Sequence, residues 1–391
     1  MPRHPLLHEP APPCGYMGRT MQAVGAQTDV FRFWEADSTL IPPEGARLSD
    51  LGLDDGDYYR YGSFRGHPPL REALAAKLAA RNRIQAAAGQ IAITAGATHA
   101  LSCATRALVG PGDEVLLLAP FWPLIRGQVT MTGARAVEVP FSAELIRDPG
   151  AEPRDLIERY ITPRTAAIYF ASPNNPDGKV LGARELSAIA DLAARHDLWL
   201  LADEAYEDFI YDGERLSIAA RPGMADRTAT VYSFSKSYAM SGLRVGYVVG
   251  PEPLVSAVLA LGLHSIYHVP YHLQSAALLA LQRGDDFIDE SRDRFRAARD
   301  LTMRHLGRFG IATPEGGAFV FFDLSALAPG RSAADVHDRL AAEGLPLTPG
   351  RIFGAAYTDW ARLCYTATPP DRLQAGLERL AGVLDRERQR G

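Results

Sequence analysis

Apolar residues along the middle of the chain fall into two alternating patterns. Short runs of strand length occupy residues 90–94, 114–119, 135–139, 166–171, 198–202, 230–234 and 245–249. Several lack strict apolar/polar alternation, which is the pattern of strands covered on both faces. Between most of them lie segments with helical spacing, at 98–109, 121–131, 184–195 and 253–263. An earlier helical segment runs from Pro68 through Leu70, Leu74 and Leu78 to about Arg81. This alternation predicts an α/β fold, with a large domain whose mainly parallel seven-stranded sheet carries helices on both faces. Ligands of such sheets bind beyond the carboxyl ends of the strands, so the residues just after each run carry most information.

From Pro270 the chain turns strongly helical, with a charged stretch at 286–300. Its charges are mixed in sign at helical spacing, which predicts a solvated helix bridging two domains rather than a nucleic-acid-binding arm. Two more strands, at 318–323 and 362–366, alternate with helices at 333–343 and 369–388 and predict a smaller α+β domain. The first 30 residues are rich in Pro, Gly and His and read as an irregular arm. The expected division is an arm and part of the small domain over 1–50, the large domain over 51–285, and the small domain over 286–391.

Composition narrows the class without naming it. With 47% hydrophobic and 22% charged residues, the 391-residue chain is ordinary globular material. Forty-one basic against 46 acidic residues leave a net charge of −5, so there is no basic footprint for nucleic acid. Cys14, Cys103 and Cys364 are odd in number and form no paired or zinc-type pattern, as expected of reduced thiols in the cytoplasm. No apolar run reaches the roughly 18 residues of a membrane span. The opening MPRHPLLHEPAPPC lacks the apolar centre of a secretion signal. A large soluble cytoplasmic protein, an enzyme of unspecified kind, is expected.

The chemistry gathers after the strands. In VYSFSKSYAMSGLRVGY (231–247), Lys236 follows a buried run, flanked by Ser233 and Ser235, with Arg244 eight residues on. A lysine there can be desolvated, which lowers its pKa and makes its amine a nucleophile for carbonyl groups. Two hydroxyls and a guanidinium suit a phosphate. ITAGATHAL places Gly96, Ala97 and Thr98 between a strand and a helix, where free N–H groups bind phosphate. LWLLADEAYEDF puts Asp203 at a strand end with Tyr206 three residues later; such a carboxylate can keep a pyridinium nitrogen protonated or simply cap a helix. In ASPNNPDG, Asn175 follows another strand in residues that also suit a plain turn.

The segment SFSKSYAMSGLRVGY resembles the cofactor-lysine segment of the fold-type I, class I/II aminotransferases, which use pyridoxal 5'-phosphate (PLP). The resemblance runs from about Tyr58 to the C-terminus with all landmarks in order. It implies that Lys236 carries the cofactor as a Schiff base, and that Ser233, Ser235, Arg244, Ala97 and Thr98 hold its phosphate. Asp203 would pair with the ring nitrogen, Tyr206 and Asn175 would bond the ring oxygen, and Trp122 of APFWP would stack on the ring. Arg362 of WARLCYTAT, with Asn175, would grip the substrate α-carboxylate. Tyr61 would reach the phosphate in the partner subunit's site, which implies a homodimer with shared active sites.

Two places depart from the family pattern. Where a Gly-Glu-Pro-Asp-like loop is usual, the chain has Trp34-Glu35-Ala36-Asp37, so Trp34 stands at the glycine that borders the substrate. In HSIYHVPYH, His264, His268 and His272 sit four apart, a spacing that on one helix face would suit a metal; Pro270 interrupts that helix and no metal is expected. The implied reaction is ping-pong transfer of an amino group from an L-amino acid to a 2-oxo acid. The alternative keeps the cofactor for elimination, replacement or cyclisation, resembling aminocyclopropane-carboxylate synthase acting on S-adenosylmethionine or a modified amino acid of secondary metabolism. A transcription-regulator reading finds no basic helix pair ahead of the body of the chain.

Overall fold

The computed structural model describes residues 21, 22, 24, 25, 27–52 and 56–390, so most of the expected arm, with Cys14, lies outside the described residues. The seven apolar runs become β1 (Ile91–Thr94), β2 (Glu114–Leu118), β3 (Arg135–Val139), β4 (Thr165–Ala171), β5 (Trp199–Asp203), β6 (Thr228–Ser233) and β7 (Gly246–Val249). They pair in one sheet of order β1-β7-β6-β5-β4-β2-β3, in which only the pairings of β7 are antiparallel. Every residue of β1, β2 and β7 is buried, which explains the missing alternation.

Nine helices serve this sheet among the described residues: α1 (Pro68–Lys77), α2 (Gly96–Leu108), α3 (Leu124–Thr130), α4 (Phe141–Arg147), α5 (Pro153–Glu158), α6 (Ala183–Arg195), α7 (Phe234–Ser237), α8 (Glu252–Leu263) and α9 (Tyr271–Arg283). On one face Val115, Leu117 and Val231 pack with Leu101 of α2 and Val258 of α8. On the other, Leu116, Ile168 and Leu200 meet Leu186, Ile189 and Leu192 of α6. Each such side chain contributes about 1.5–3 kcal/mol by leaving water. Helices α4 and α5 are additions to the sequence reading; at one to two turns each, they are too short to show a helical period. Helix α3 starts later than the apolar pattern suggests, because the Pro120–Pro123 stretch holds the chain open there.

The helix α10 (Asp285–Leu306) does bridge: Ile288 lies in the core of the large sheet, Phe295 and Leu306 in a second core. That core belongs to an antiparallel sheet, β8 (Phe319–Asp323), β9 (Thr348–Pro349) and β10 (Trp360–Cys364), with α11 (Ala333–Ala342) and α12 (Pro370–Arg390). Phe31 and Phe33 complete it: a Cβ on Gly376 of α12 would lie 2.5 Å from Phe31, so only glycine admits the two rings. No helix among the described residues is long and apolar enough to cross a membrane. Cys103 and Cys364 are free, buried thiols.

One buried ion pair joins α1 to the loop after β5. Lys77 donates to Glu207 and sits 4.6 Å from the Tyr232 ring centroid, while Asn82 donates to the other Glu207 oxygen at 2.6 Å. Glu207→Ala leaves the Lys77 ammonium buried without its carboxylate and is expected to cost on the order of 3 kcal/mol in urea unfolding. A cost below about 1 kcal/mol would show that Lys77 finds water or loses its proton at no expense.

Candidate active site

The lysine is set by a one-turn helix. Ser233, the last residue of β6, caps α7 by accepting from the Ser235 N–H at 3.1 Å. That turn aims Lys236 inward, where its amine donates to the Ala36 carbonyl and stands 5.7 Å from the Tyr206 ring centroid. Burial pulls the Lys236 pKa below its ordinary value, opposed chiefly by the charge of Asp37. Arg244 takes a left-handed backbone (φ 55) just past the Ser241–Leu243 turn, and its guanidinium donates to the Ser241 carbonyl at 2.8 Å, with the Ser235 hydroxyl at 3.4 Å.

Two glycines let these groups close on the start of α2. A Cβ on Gly96 would lie 2.4 Å from an Arg244 nitrogen, and one on Gly246 would lie 2.7 Å from Gly96 and 2.8 Å from the Ala97 nitrogen. The guanidinium, the first-turn N–H groups and the Thr98 hydroxyl therefore share one corner of a cleft of about 310 Å³. This corner is built for an anion.

The opposite end is acidic and buried. The Asp203 carboxylate accepts from the Tyr169 hydroxyl and the Ala205 N–H, each at 3.1 Å. Burial nevertheless pushes its pKa up to about 6, so the site lacks a cationic partner for it among the described residues. Trp122 and Tyr206 also line the cleft, so aromatic surface borders it beside the anion corner and the carboxylate.

Arg362 enters from the small sheet. It donates to Asn175 Oδ1 and to the Trp34 carbonyl, both at 2.9 Å, and to the Thr348 hydroxyl at 3.1 Å. The rings of Phe319 and Phe353 lie 4.4 and 5.2 Å from its guanidinium carbon and attract its charge. Asn175 is itself placed by its neighbour: Asn174 donates to the Pro120 carbonyl and to Asp177, each at 2.8 Å.

The structure thus gathers Ala97, Thr98, Trp122, Asn175, Asp203 and Tyr206 with Ser233, Ser235, Lys236 and Arg244 around one cleft, and Arg362 joins through Asn175. Trp34 takes part through its backbone carbonyl. Tyr61 stands apart, 85% exposed, against Tyr267 at 5.0 Å between ring centroids. His268 supports that loop by accepting from the Gly62 N–H at 3.1 Å. His264 ends α8, His268 lies in a loop and His272 begins α9, so the three share no helix face, and no metal-ligand cluster exists among the described residues.

Sequence reasoning missed Thr348, Phe353, Asp37 and Ser241. Thr348 is opposite Arg362 in the β9–β10 register, a pairing that no local pattern announces. Asp37 and Ser241 meet across a sequence separation of 204 residues.

The cleft fits PLP: an anion corner opened by two glycines, aromatic walls, and a buried carboxylate in want of a cation. Residues 36–380 match the family described as aminotransferase class I and II. Arginine–pyruvate transaminase AruH of Pseudomonas aeruginosa is 38% identical over 307 residues, 78% of this chain and 77% of that protein. The aspartate/prephenate aminotransferase of Thermus thermophilus is 36% identical over 335 residues, 84% of each. Among solved structures, an aspartate aminotransferase mutant of Thermus thermophilus superposes with a TM-score of 0.87 at 31% identity, covering 96% of this chain and 97% of that one. The aromatic aminotransferase of Pyrococcus horikoshii gives 0.86 at 30% identity, covering 94% and 99%. These names favour amino transfer over the elimination or cyclisation reading. The chain belongs to the class I and II aminotransferases, PLP-dependent transferases with the aspartate aminotransferase fold.

Proposed function

We propose that Lys236 holds the cofactor and moves the substrate's α-proton, in an amino transfer from an L-amino acid to a 2-oxo acid. One observation carries this reading: the Lys236 amine lies buried in a cleft with an anion corner on one side and the Asp203 carboxylate on the other. The cofactor, when bound, supplies the electron-withdrawing ring that makes the α-proton removable. Arg244, Ser233, Ser235, Ala97 and Thr98 hold its phosphate, Trp122 faces its ring, and Tyr206 and Asn175 bond the ring oxygen. Asp203 keeps its nitrogen protonated. Arg362 and Asn175 fix the substrate carboxylate beside Trp34, so the α-carbon comes within reach of Lys236. A depressed pKa suits an amine that must accept a proton and return it in each half-reaction.

The exposed Tyr61 supports a homodimer in which this ring enters the second copy's site. The free thiols Cys103 and Cys364 support a cytoplasmic setting. The reading is tested by incubating the holoenzyme with single L-amino acids and pyruvate or 2-oxoglutarate. One new 2-oxo acid is expected for each new amino acid formed; release of ammonia or of a thioether in its place overturns amino transfer.

Arg362→Lys keeps the charge but loses the planar fork, and is expected to raise the amino-acid KM about 10–100-fold, with a smaller change in kcat. An unchanged KM would place the carboxylate elsewhere.

A further inference from the structure

The segment 34–37 touches two cations of the site, Lys236 and Arg362, and reaches the third, Arg244, through Ser241. The Trp34 carbonyl accepts from Arg362, and the Ala36 carbonyl accepts from Lys236. The Asp37 carbonyl takes the Thr366 hydroxyl at 2.6 Å and the Cys364 thiol at 3.6 Å, which ties the segment to the small sheet. On the other side, Asp37 Oδ2 accepts from the Ser241 hydroxyl at 3.0 Å. The carbonyl of that same Ser241 accepts from Arg244. Asp37 Oδ1 is engaged locally, taking the Ser38 N–H at 3.0 Å. A half-buried carboxylate thus links this segment to the anion corner through its side chain.

We propose that Asp37 is a positioning residue for amino transfer: through Ser241 it fixes segment 34–37 between Lys236 and Arg362, and it sets a carboxylate charge near the lysine nitrogen. The inference rests on the reading of Lys236 given above. The groups facing that nitrogen are the Asp37 carboxylate, the Cys364 thiol, the guanidinium groups of Arg362 and Arg244, and the ring of Tyr206. The two arginines disfavour a positive charge there, and burial disfavours it more. The Asp37 carboxylate opposes both.

The two roles separate in two variants. Asp37→Asn keeps an acceptor for Ser241 and removes the charge; Ser241→Ala removes the tie and keeps the charge. The measurement is the pH titration of the visible absorption of the bound cofactor in the holoenzyme, with the amino-acid KM followed alongside. For Asp37→Asn the titration midpoint is expected to fall by about one pH unit, since a nearby opposite charge favours the protonated form by that order. For Ser241→Ala the midpoint stays, while KM rises about fivefold because the segment beside Arg362 loosens. A midpoint in Asp37→Asn equal to that of the parent overturns the electrostatic role, even where thermal stability drops. An unchanged KM in Ser241→Ala overturns the positioning role. Persistence of the titrating absorption in Lys236→Ala would instead strike the underlying reading of the lysine, which makes the two failures distinguishable.

Discussion

Lys236→Ala is expected to lower amino transfer by at least about a thousandfold and to abolish covalent retention of the cofactor. The magnitude follows from removing one group that serves as attachment point and as general base and acid, since proton transfer alone contributes about 10²–10⁴-fold. The chain makes this test unusually clean, because it contains only three lysines: Lys77, Lys179 and Lys236. Lys77 is locked in its buried pair with Glu207, and Lys179 lies between Glu185 and Glu315 at 3.9 and 3.6 Å. Neither lines the cleft. Borohydride reduction followed by peptide mapping should therefore place the added cofactor mass on the peptide holding residue 236 and nowhere else. Label on residue 77 or 179 would undo the assignment of the whole site, because no other part of the proposal then has an amine to act on.

How far the sequence alone leads depends on how local the causes are. Strands buried on both faces announce themselves as continuous apolar runs, so β1 to β7 and the residues at their ends were legible, Asp203 and Lys236 among them. The anion corner was legible for a similar reason: Gly96, Ala97 and Thr98 lie together at one strand-to-helix turn. Contacts that join distant stretches leave no local mark. The Thr348 hydroxyl depends on the β9–β10 register, and the Asp37–Ser241 bond depends on where the N-terminal segment meets the turn ahead of β7. Trp34 shows the limit in another way. The sequence marks it as a bulky replacement for glycine, whereas in the fold its contribution to Arg362 is a carbonyl that any residue would carry. Its backbone φ is not positive, so nothing in the turn demands glycine.

Asp203→Asn is expected to lower kcat/KM for the amino acid about a thousandfold while making the cofactor-free protein more stable at neutral pH. Both effects come from the same burial. In the folded chain the carboxyl is raised from an ordinary 3.8 to about 6, because desolvation outweighs the bonds from Tyr169 and Ala205. Between those values the folded chain binds more protons than the unfolded one, so unfolding free energy falls as pH rises. The stabilising contribution is full below the ordinary value and is lost as pH passes about 6. Above that pH the ionised carboxylate is a net cost, and asparagine removes it for a gain of about 1–2 kcal/mol. A cationic ring nitrogen at the carboxylate reverses the sign, because opposite charge favours the ionised form. Cofactor affinity of the parent should therefore climb between pH 5 and 7, and that climb should vanish in the asparagine variant. The loss of transfer, about 4 kcal/mol in the barrier, reflects a ring whose nitrogen no longer stays protonated. Equilibrium unfolding of the cofactor-free forms and cofactor titrations across pH 5–8 measure the two effects separately. If the asparagine variant is less stable than the parent at pH 7.5 and binds the cofactor with the same pH dependence, Asp203 is a structural cap and the ring nitrogen lies elsewhere.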